Sequence, residues 1–207
     1  MKLHKRYKLV FGVGINDSNY NVVDSIEIAG KTKVLWVCPF YRKWKDMLGR
    51  CYYEPHLKTH PTYRGCTVFE DWKYFSNFKA WMETQDWEGK QLDKDLLVRG
   101  NKLYSPETCI FIDPKVNRFM TERNAYRGEF PIGVCFDKIT GKYMAQCWSV
   151  ERNKNVGLGR YKTPEEAHKA WLEFKLKQAY VLASQQTDER VAKALIQRYE
   201  NYTVTSE

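Results

Sequence analysis

Ten side chains of this 207-residue sequence are of the types that ligate metals, act as nucleophiles or move protons near neutral pH: six cysteines and four histidines. The cysteines are Cys38, Cys51, Cys66, Cys109, Cys135 and Cys147, and none lies within four residues of another. No C-x-x-C knuckle is therefore present, and a disulfide framework is not expected in a chain this long without a secretory leader. Cys38, Cys51, Cys66 and Cys109 are the set that could converge on one tetrahedral zinc ion, but such sites draw their ligands from close pairs. The expectation is buried, inert thiols and no zinc. His56 and His60 stand at i, i+4, which places two side chains together only on a helix, and Pro55 and Pro61 predict a loop there. His168 falls within a predicted helix. Gly12-Val13-Gly14 lacks the Lys-Ser/Thr ending of a phosphate loop, and no Gly-x-Ser-x-Gly elbow occurs. A Cys–His nucleophile pair is left open, since six Cys and four His make chance pairs easy.

The cations carry a clearer message. Thirty-four Lys and Arg against twenty-five Asp and Glu give a net charge of +9 and a pI near 9.2, a balance that favours an anionic partner, nucleic acid first. The excess is spread evenly: 1–35, 36–131 and 132–207 each carry +3. Within 138–162, Lys138, Lys142, Arg152, Lys154, Arg160 and Lys162 face only Glu151, and within 115–127, Lys115, Arg118, Arg123 and Arg127 face only Glu122. Two such clusters suit a surface that tracks phosphates. No apolar run approaches the ~20 residues that cross a bilayer, and no helix pairs a basic face with an apolar one, so no membrane partner is expected. The basic start MKLHKRYKLVF lacks the apolar core and cleavage site of a secretory signal.

The elements that must position these groups follow from periodicity. Strands are predicted over 7–14, 20–28 and 33–38. Pro39 opens a helix whose stripe is Phe40, Trp44, Met47, Leu48 and Cys51. Residues 54–65 read as a loop, and a second helix spans about 71–82 with Trp72, Phe75, Phe78 and Met82 inward. A short strand near Leu96, a turn at Gly100 and a strand at 109–112 follow, and 116–131 reads as a basic linker with some local helix. Residues 132–182 are the clearest unit: strands at 132–137, 142–149 and 156–161, then a helix started by Thr163-Pro164-Glu165-Glu166. A last helix covers 188–199 with Thr187 as its cap. Alternation turns Val134, Ala145, Cys147 and Leu158 toward the helix, and leaves Cys135, Asp137, Gln146, Trp148, Asn155 and Gly157 on an open face. The fold class is α+β: N-terminal strands (1–35), an aromatic-rich α/β region (36–115), the linker, a three-stranded antiparallel sheet with one helix (132–182), then a C-terminal helix and tail (183–207).

Three segments, CPFYRKWKDMLGRCY, YRGCTVFEDWKYFSNFKAWM and LDKDLLVRGNKLYSPETCIFI, resemble a family of phage-encoded HNH endonucleases. The unit PIGVCFDKITGKYMAQCWSVERNKNVGLGRYKTPEEAHKAW resembles the Apetala-type (ethylene-response-factor) DNA-binding domain, a module that phage homing endonucleases often append to a nuclease. That second resemblance implies a sheet laid in the major groove of duplex DNA. Cys135, Asp137, Gln146, Trp148 and Asn155 would face bases, and Lys138, Lys142, Arg152, Lys154 and Arg160 would hold phosphates. Plant members place several Arg on that face and this sequence does not, whereas Gln146 and Asn155 suit bidentate pairing with adenine. The first resemblance implies a single Mg²⁺ near Asp93-Lys94-Asp95, with Asn101 and Glu107 following, and Asp93 and Asp95 as metal ligands. The catalytic His of that family has no counterpart there. The residues themselves read first as structural ones in a turn, with metal binding by Asp93 and Asp95 as the alternative.

Three functions are consistent with these features. The leading one is a phage-type protein that binds duplex DNA through the C-terminal sheet on a homing-endonuclease scaffold, in the cytoplasm of an infected bacterial host. The second is an active Mg²⁺-dependent HNH-type endonuclease. The third is a phage factor that binds and inhibits a host protein through an aromatic interface.

Overall fold

The apolar stripe that begins at Pro39 becomes helix α1, Pro39–Tyr52, which buries Tyr41, Trp44, Met47, Leu48 and Cys51. Phe40, expected on this stripe, lies only partly buried against the core, and Tyr41 takes the buried place. The computed structural model describes residues 8–121 and 129–202, and the α+β chain divides into two units, Met1–Asp113 and Pro114–Glu207. Among the described residues no helix is long and apolar enough to cross a membrane.

The first unit is an aromatic core wrapped by short elements. Trp44 is fully buried, and its indole N–H donates to the Trp72 carbonyl at 2.7 Å, so the ring adds core volume without leaving a polar atom unpaired. The helix expected over 71–82 divides into a 3₁₀ turn, Glu70–Lys73, and α3, Phe75–Glu83, with Phe75, Phe78 and Met82 buried. The first turn of α3 is satisfied from far away in sequence: Ser76 N–H and its hydroxyl both donate to the Asp17 carboxylate, at 2.9 and 2.5 Å. That is a capping interaction supplied by a loop.

Strands β1, Val23–Ile28, and β2, Lys31–Val37, form an antiparallel hairpin. Its two connecting residues both take positive φ (Ala29 50°, Gly30 73°), the conformation that matches strand twist in a two-residue turn. Elsewhere the structure departs from the sequence reading. Of the expected strand over 7–14, Tyr7 lies outside the described residues, and Val10–Gly14 forms a tight turn closed by a bridge between its ends, with Phe11 and Gly12 at positive φ. Gly14 must lack a side chain, since a Cβ there would lie 2.3 Å from Leu48 Cδ1. The expected loop over 54–65 contains helix α2, Glu54–Thr59, and a 3₁₀ turn, Pro61–Tyr63. Pro55 sits in the first turn of α2, where an N–H has no helical partner in any case, so the prolines bracket a helix instead of forbidding one.

Two small sheets complete this unit. β3, Thr67–Val68, pairs in parallel with β5, Leu103–Tyr104, and β4, Gln91–Asp93, pairs antiparallel with β6, Ile110–Ile112. The strand expected near Leu96 therefore lies earlier, and Leu96 is a buried side chain in the turn that follows.

The second unit opens with α4, Pro114–Met120, whose Val116, Phe119 and Met120 are buried. The first part of the expected linker is thus folded; Glu122, Arg123 and Arg127 lie outside the described residues. Strands β7, Val134–Asp137, β8, Lys142–Ser149, and β9, Lys154–Tyr161, form an antiparallel sheet in the order 7-8-9. α5, Pro164–Ala183, starts as its sequence predicts, with the Thr163 hydroxyl accepting from Glu166 N–H. α6, Glu189–Glu200, buries Val191, Leu195 and Tyr199. Its cap is Asp188, which accepts from Arg190 N–H at 2.8 Å, in place of the expected Thr187; a carboxylate also suits the positive end of a helix better than a hydroxyl.

Candidate functional site

β8 is the central strand, so every second residue must be apolar or tucked away while its neighbours are released to solvent. Ala145, Cys147 and Ser149 are buried beneath α5, and Gln146 and Trp148 are exposed. Gln178 of α5 fixes the strand edge, accepting from Val150 N–H at 2.6 Å and donating to Trp148 O at 3.1 Å.

The register carries this alternation across the sheet. Asp137 stands beside Lys142, Met144 lies between Cys135 and Arg160, Gln146 stands beside Gly157, and Trp148 beside Asn155. The open face expected from sequence is thus assembled as expected. Gly157 has no side chain to cover Gln146, and a would-be Cβ there meets nothing within 4 Å. Trp148, 45% exposed, is a large aromatic on a surface where burial would be favourable, the pattern of a contact residue rather than of a core residue.

The charges on this face are partly paired. Arg160 Nε lies 2.9 Å from Asp137 Oδ2, and this bond, helped by the Thr140 hydroxyl and the Ile139 N–H, holds the Asp137 carboxyl down at about 2. Lys138, Lys142, Arg152 and Lys154 are exposed. Lys142 shares the open face, whereas Lys154, opposite Ser149, sits at the sheet's end. From sequence, the surpluses at 115–127 and 138–162 together suit one surface. Lys115 and Arg118 of α4 line one cleft of about 1090 Å³ with Gln146, Trp148 and Asn155.

The carboxylates of the first unit are arranged differently. Asp93 Oδ1 accepts from Asp95 N–H at 3.0 Å and Leu96 N–H at 2.7 Å, closing a local turn. Asn101 donates to the carbonyls of Lys94 and Leu103 and accepts from Leu103 N–H. Lys94, 7% exposed, donates to Asn101 O at 2.9 Å and lies 3.5 Å from Asp95 Oδ2. Asp93, Lys94, Asp95 and Asn101 are therefore brought together as a loop clamp in which an ammonium already faces the acid. Glu107 is exposed and takes its hydrogen bond from Ser105, which lowers its pKa. Among the described residues no three His, Cys, Asp or Glu side chains form a group that could hold a metal ion.

Burial, with Asp95 adding repulsion, raises the Asp93 pKa above its ordinary 3.8. A raised carboxyl stabilises the fold at low pH, where it is protonated in both states. That contribution is lost as pH rises from the ordinary value through the raised one, so at neutral pH the charge opposes folding. Asp93→Asn keeps an acceptor for both backbone N–H groups without the charge, and should leave stability at neutral pH unchanged or higher. Asp93→Ala should cost about 1–2 kcal/mol, because it orphans those donors. Thermal unfolding of the two variants checks this ordering.

His56 on α2 and His60, which caps its C-terminal end, stack with ring centroids 4.3 Å apart. Burial, the neighbouring His60 and Arg50 lower the His56 pKa, which favours the neutral ring.

Comparison with family models, with curated proteins and with solved structures finds no match.

The six thiols sort themselves by burial. Cys38, Cys51, Cys66, Cys109 and Cys147 are buried, Cys135 is half-buried, and none forms a disulfide. Burial pushes Cys51 and Cys109 up to about 12, which suppresses the reactive thiolate. One thiol, Cys135 on the open face, should react rapidly with a soluble disulfide reagent in the native protein, and the other five only on unfolding. A stoichiometric thiol titration with and without denaturant measures this.

Proposed function

We propose that this protein binds duplex DNA through the open face of the β7–β8–β9 sheet, with Gln146, Trp148 and Asn155 toward the bases. Lys138, Lys142, Arg152, Lys154 and Arg160 would be set against phosphates. The observation that carries the reading is the one-sidedness of the sheet: one face is packed on α5, and the other exposes a tryptophan and two carboxamides amid cations. Two carboxamides are the groups that read adenine edges in a major groove. The likeness of this unit to the Apetala-type domain, and of the preceding segments to phage HNH proteins, supports the same partner and a site of action in the cytoplasm of an infected host.

Fluorescence anisotropy with a labelled duplex tests it. Binding should weaken steeply between about 50 mM and 200 mM salt, since each released counterion adds roughly 0.9 to the log–log slope. Trp148→Ala should weaken binding by about 1–3 kcal/mol at an unchanged slope, the loss of a buried aromatic contact and not of a charge. DNA should also protect Cys135 from thiol reagents. A flat salt response with an unprotected Cys135 would sink the reading.

A further inference from the structure

β7 stops early. It pairs with β8 only from Lys142 to Ala145, and Gln146 N–H then donates to the Gly133 carbonyl. Beyond that bond, among the described residues, β8 has β9 on one side and no strand on the other. The gap opens into the cleft of about 1090 Å³, to which α4 brings Lys115 and Arg118, α5 brings Trp171 and Lys175, and α6 brings Tyr199. All of these belong to the second unit.

The walls narrow the choice of occupant. A strand from another protein fits poorly, because the Gln178 carboxamide already bonds Trp148 O and Val150 N–H on that edge, and these are ladder groups that an added strand needs. A purely apolar ligand fits poorly too. Three of the described lining residues are cations and none is Asp or Glu, so the field in the cleft selects an anion. Its other groups suit a flat, polar-edged ring. Trp148 is 45% exposed and Phe130 half-buried, so both keep ring surface for stacking. Gln146 and Asn155 add donors and acceptors at the same lip. Lys115 and Arg118 are exposed and three residues apart, on one face of α4.

A ring to stack, edges to hydrogen-bond and an anion to pair are the three parts of a nucleotide. The volume, just above the roughly 300–1,000 Å³ typical of small-molecule sites, holds one with its sugar. Gln146, Trp148 and Asn155 are also the groups set toward duplex bases, so the cleft begins where bound DNA would lie. A nucleotide still stacked and paired cannot enter it; an unpaired one can.

We infer that the cleft between α4 and β8 binds one unpaired nucleotide of a DNA strand, its base among the aromatic side chains and its phosphate at Lys115 and Arg118. The inference rests on the proposed DNA binding by this sheet and extends it to junctions between duplex and single strand.

Fluorescence anisotropy of the full chain, at one fixed salt concentration, compares a blunt duplex with the same duplex carrying a short single-stranded overhang of either polarity. At least one polarity should bind about fivefold tighter or better. An abasic spacer at the first unpaired position keeps the phosphates and removes the ring, and should cancel most of that gain. Lys115→Gln with Arg118→Gln should bring the two affinities within about twofold and flatten the salt slope of the overhang duplex by about 1.4, two contacts at roughly 0.7 each on a single strand. Thermal unfolding of this variant should be unchanged, since both side chains are exposed. Iododeoxyuridine at the first unpaired position should crosslink on irradiation to Trp148, Phe130 or Tyr199. Equal affinity for the blunt and overhang duplexes overturns the inference and leaves the duplex reading standing. So does a gain that survives the abasic spacer or the double variant, or a crosslink outside the cleft. Binding of neither DNA overturns both.

Discussion

Gly133→Ala should lower the melting temperature of the second unit by about 15–25 °C, following the usual shift of roughly 4–8 °C per kcal/mol for a domain of this size. Gly133 sits at φ +82°, and a Cβ built on it would lie 2.0 Å from Cδ1, 2.3 Å from Cγ and 2.6 Å from Nε1 of Trp171. Neither neighbour can give way easily. Trp171 is 3% exposed and stacks on His168 at 16°, and His168 is tied through Nδ1 to the Ile132 carbonyl. Gly133 itself is held by accepting Gln146 N–H at 2.8 Å. An alanine costs about 1–2 kcal/mol for the left-handed backbone, and the collision adds about 1–3 kcal/mol of overpacking, a large share of a typical total of about 5–15 kcal/mol. Gly141→Ala is the control: its φ is +62° but a Cβ there meets nothing within 4 Å, so it should lose only the backbone contribution of about 1–2 kcal/mol. Equal losses at the two positions, measured by thermal circular dichroism, would show that the Trp171 contact is not what Gly133 serves.

The parts of this fold legible in the sequence are those where one local period meets one buried face. β8 alternates Lys142, Met144, Gln146 and Trp148 against Tyr143, Ala145, Cys147 and Ser149, and since only one side is covered the alternation could be read directly. Thr163-Pro164-Glu165-Glu166 announced its helix because capping is a local hydrogen-bonding problem. What stayed hidden depends on distant partners. β3 and β5 are two residues each, and their parallel pairing joins Thr67–Val68 to Leu103–Tyr104, with no period long enough to detect. Pro55 and Pro61 misled because proline's effect reverses between the first turn of a helix and its interior. The acidic segment was ambiguous in another way. Asp93, Asp95 and Asn101 are residue types shared by metal sites and by tight turns, and only the buried position of Lys94 and the direction of the backbone N–H groups show that the turn uses them. The convergence of Lys115 and Arg118 with Trp148 required α4, Pro114–Met120, in a stretch that reads as a linker.

Neutralising four cations at once, Lys138, Lys142, Arg152 and Lys154 to Gln, should lower affinity for duplex DNA by roughly 10²–10³-fold at moderate salt and flatten the log–log salt slope by about 3.6. All four are exposed, so removing them disturbs no packing, and unchanged thermal unfolding would establish that. Asp137→Asn makes the opposite prediction. Its carboxylate is held at about 2 by Arg160, so it is charged at every pH used for binding and repels phosphate on the very face proposed to meet it. The depressed pKa stabilises the native state above the ordinary carboxylate range and is lost as pH falls through about 2, so the substitution gives up that ion pair while releasing Arg160. Affinity should rise several-fold and the slope steepen by about 0.9, since one more cation becomes available to a phosphate. The two variants together separate field from contact. If the sheet binds through its open face, both move the slope, in opposite directions, while Trp148→Ala moves affinity alone. If the quadruple variant leaves the slope intact, the cations that hold DNA lie elsewhere on this evenly charged chain, and the sheet is not the surface that binds.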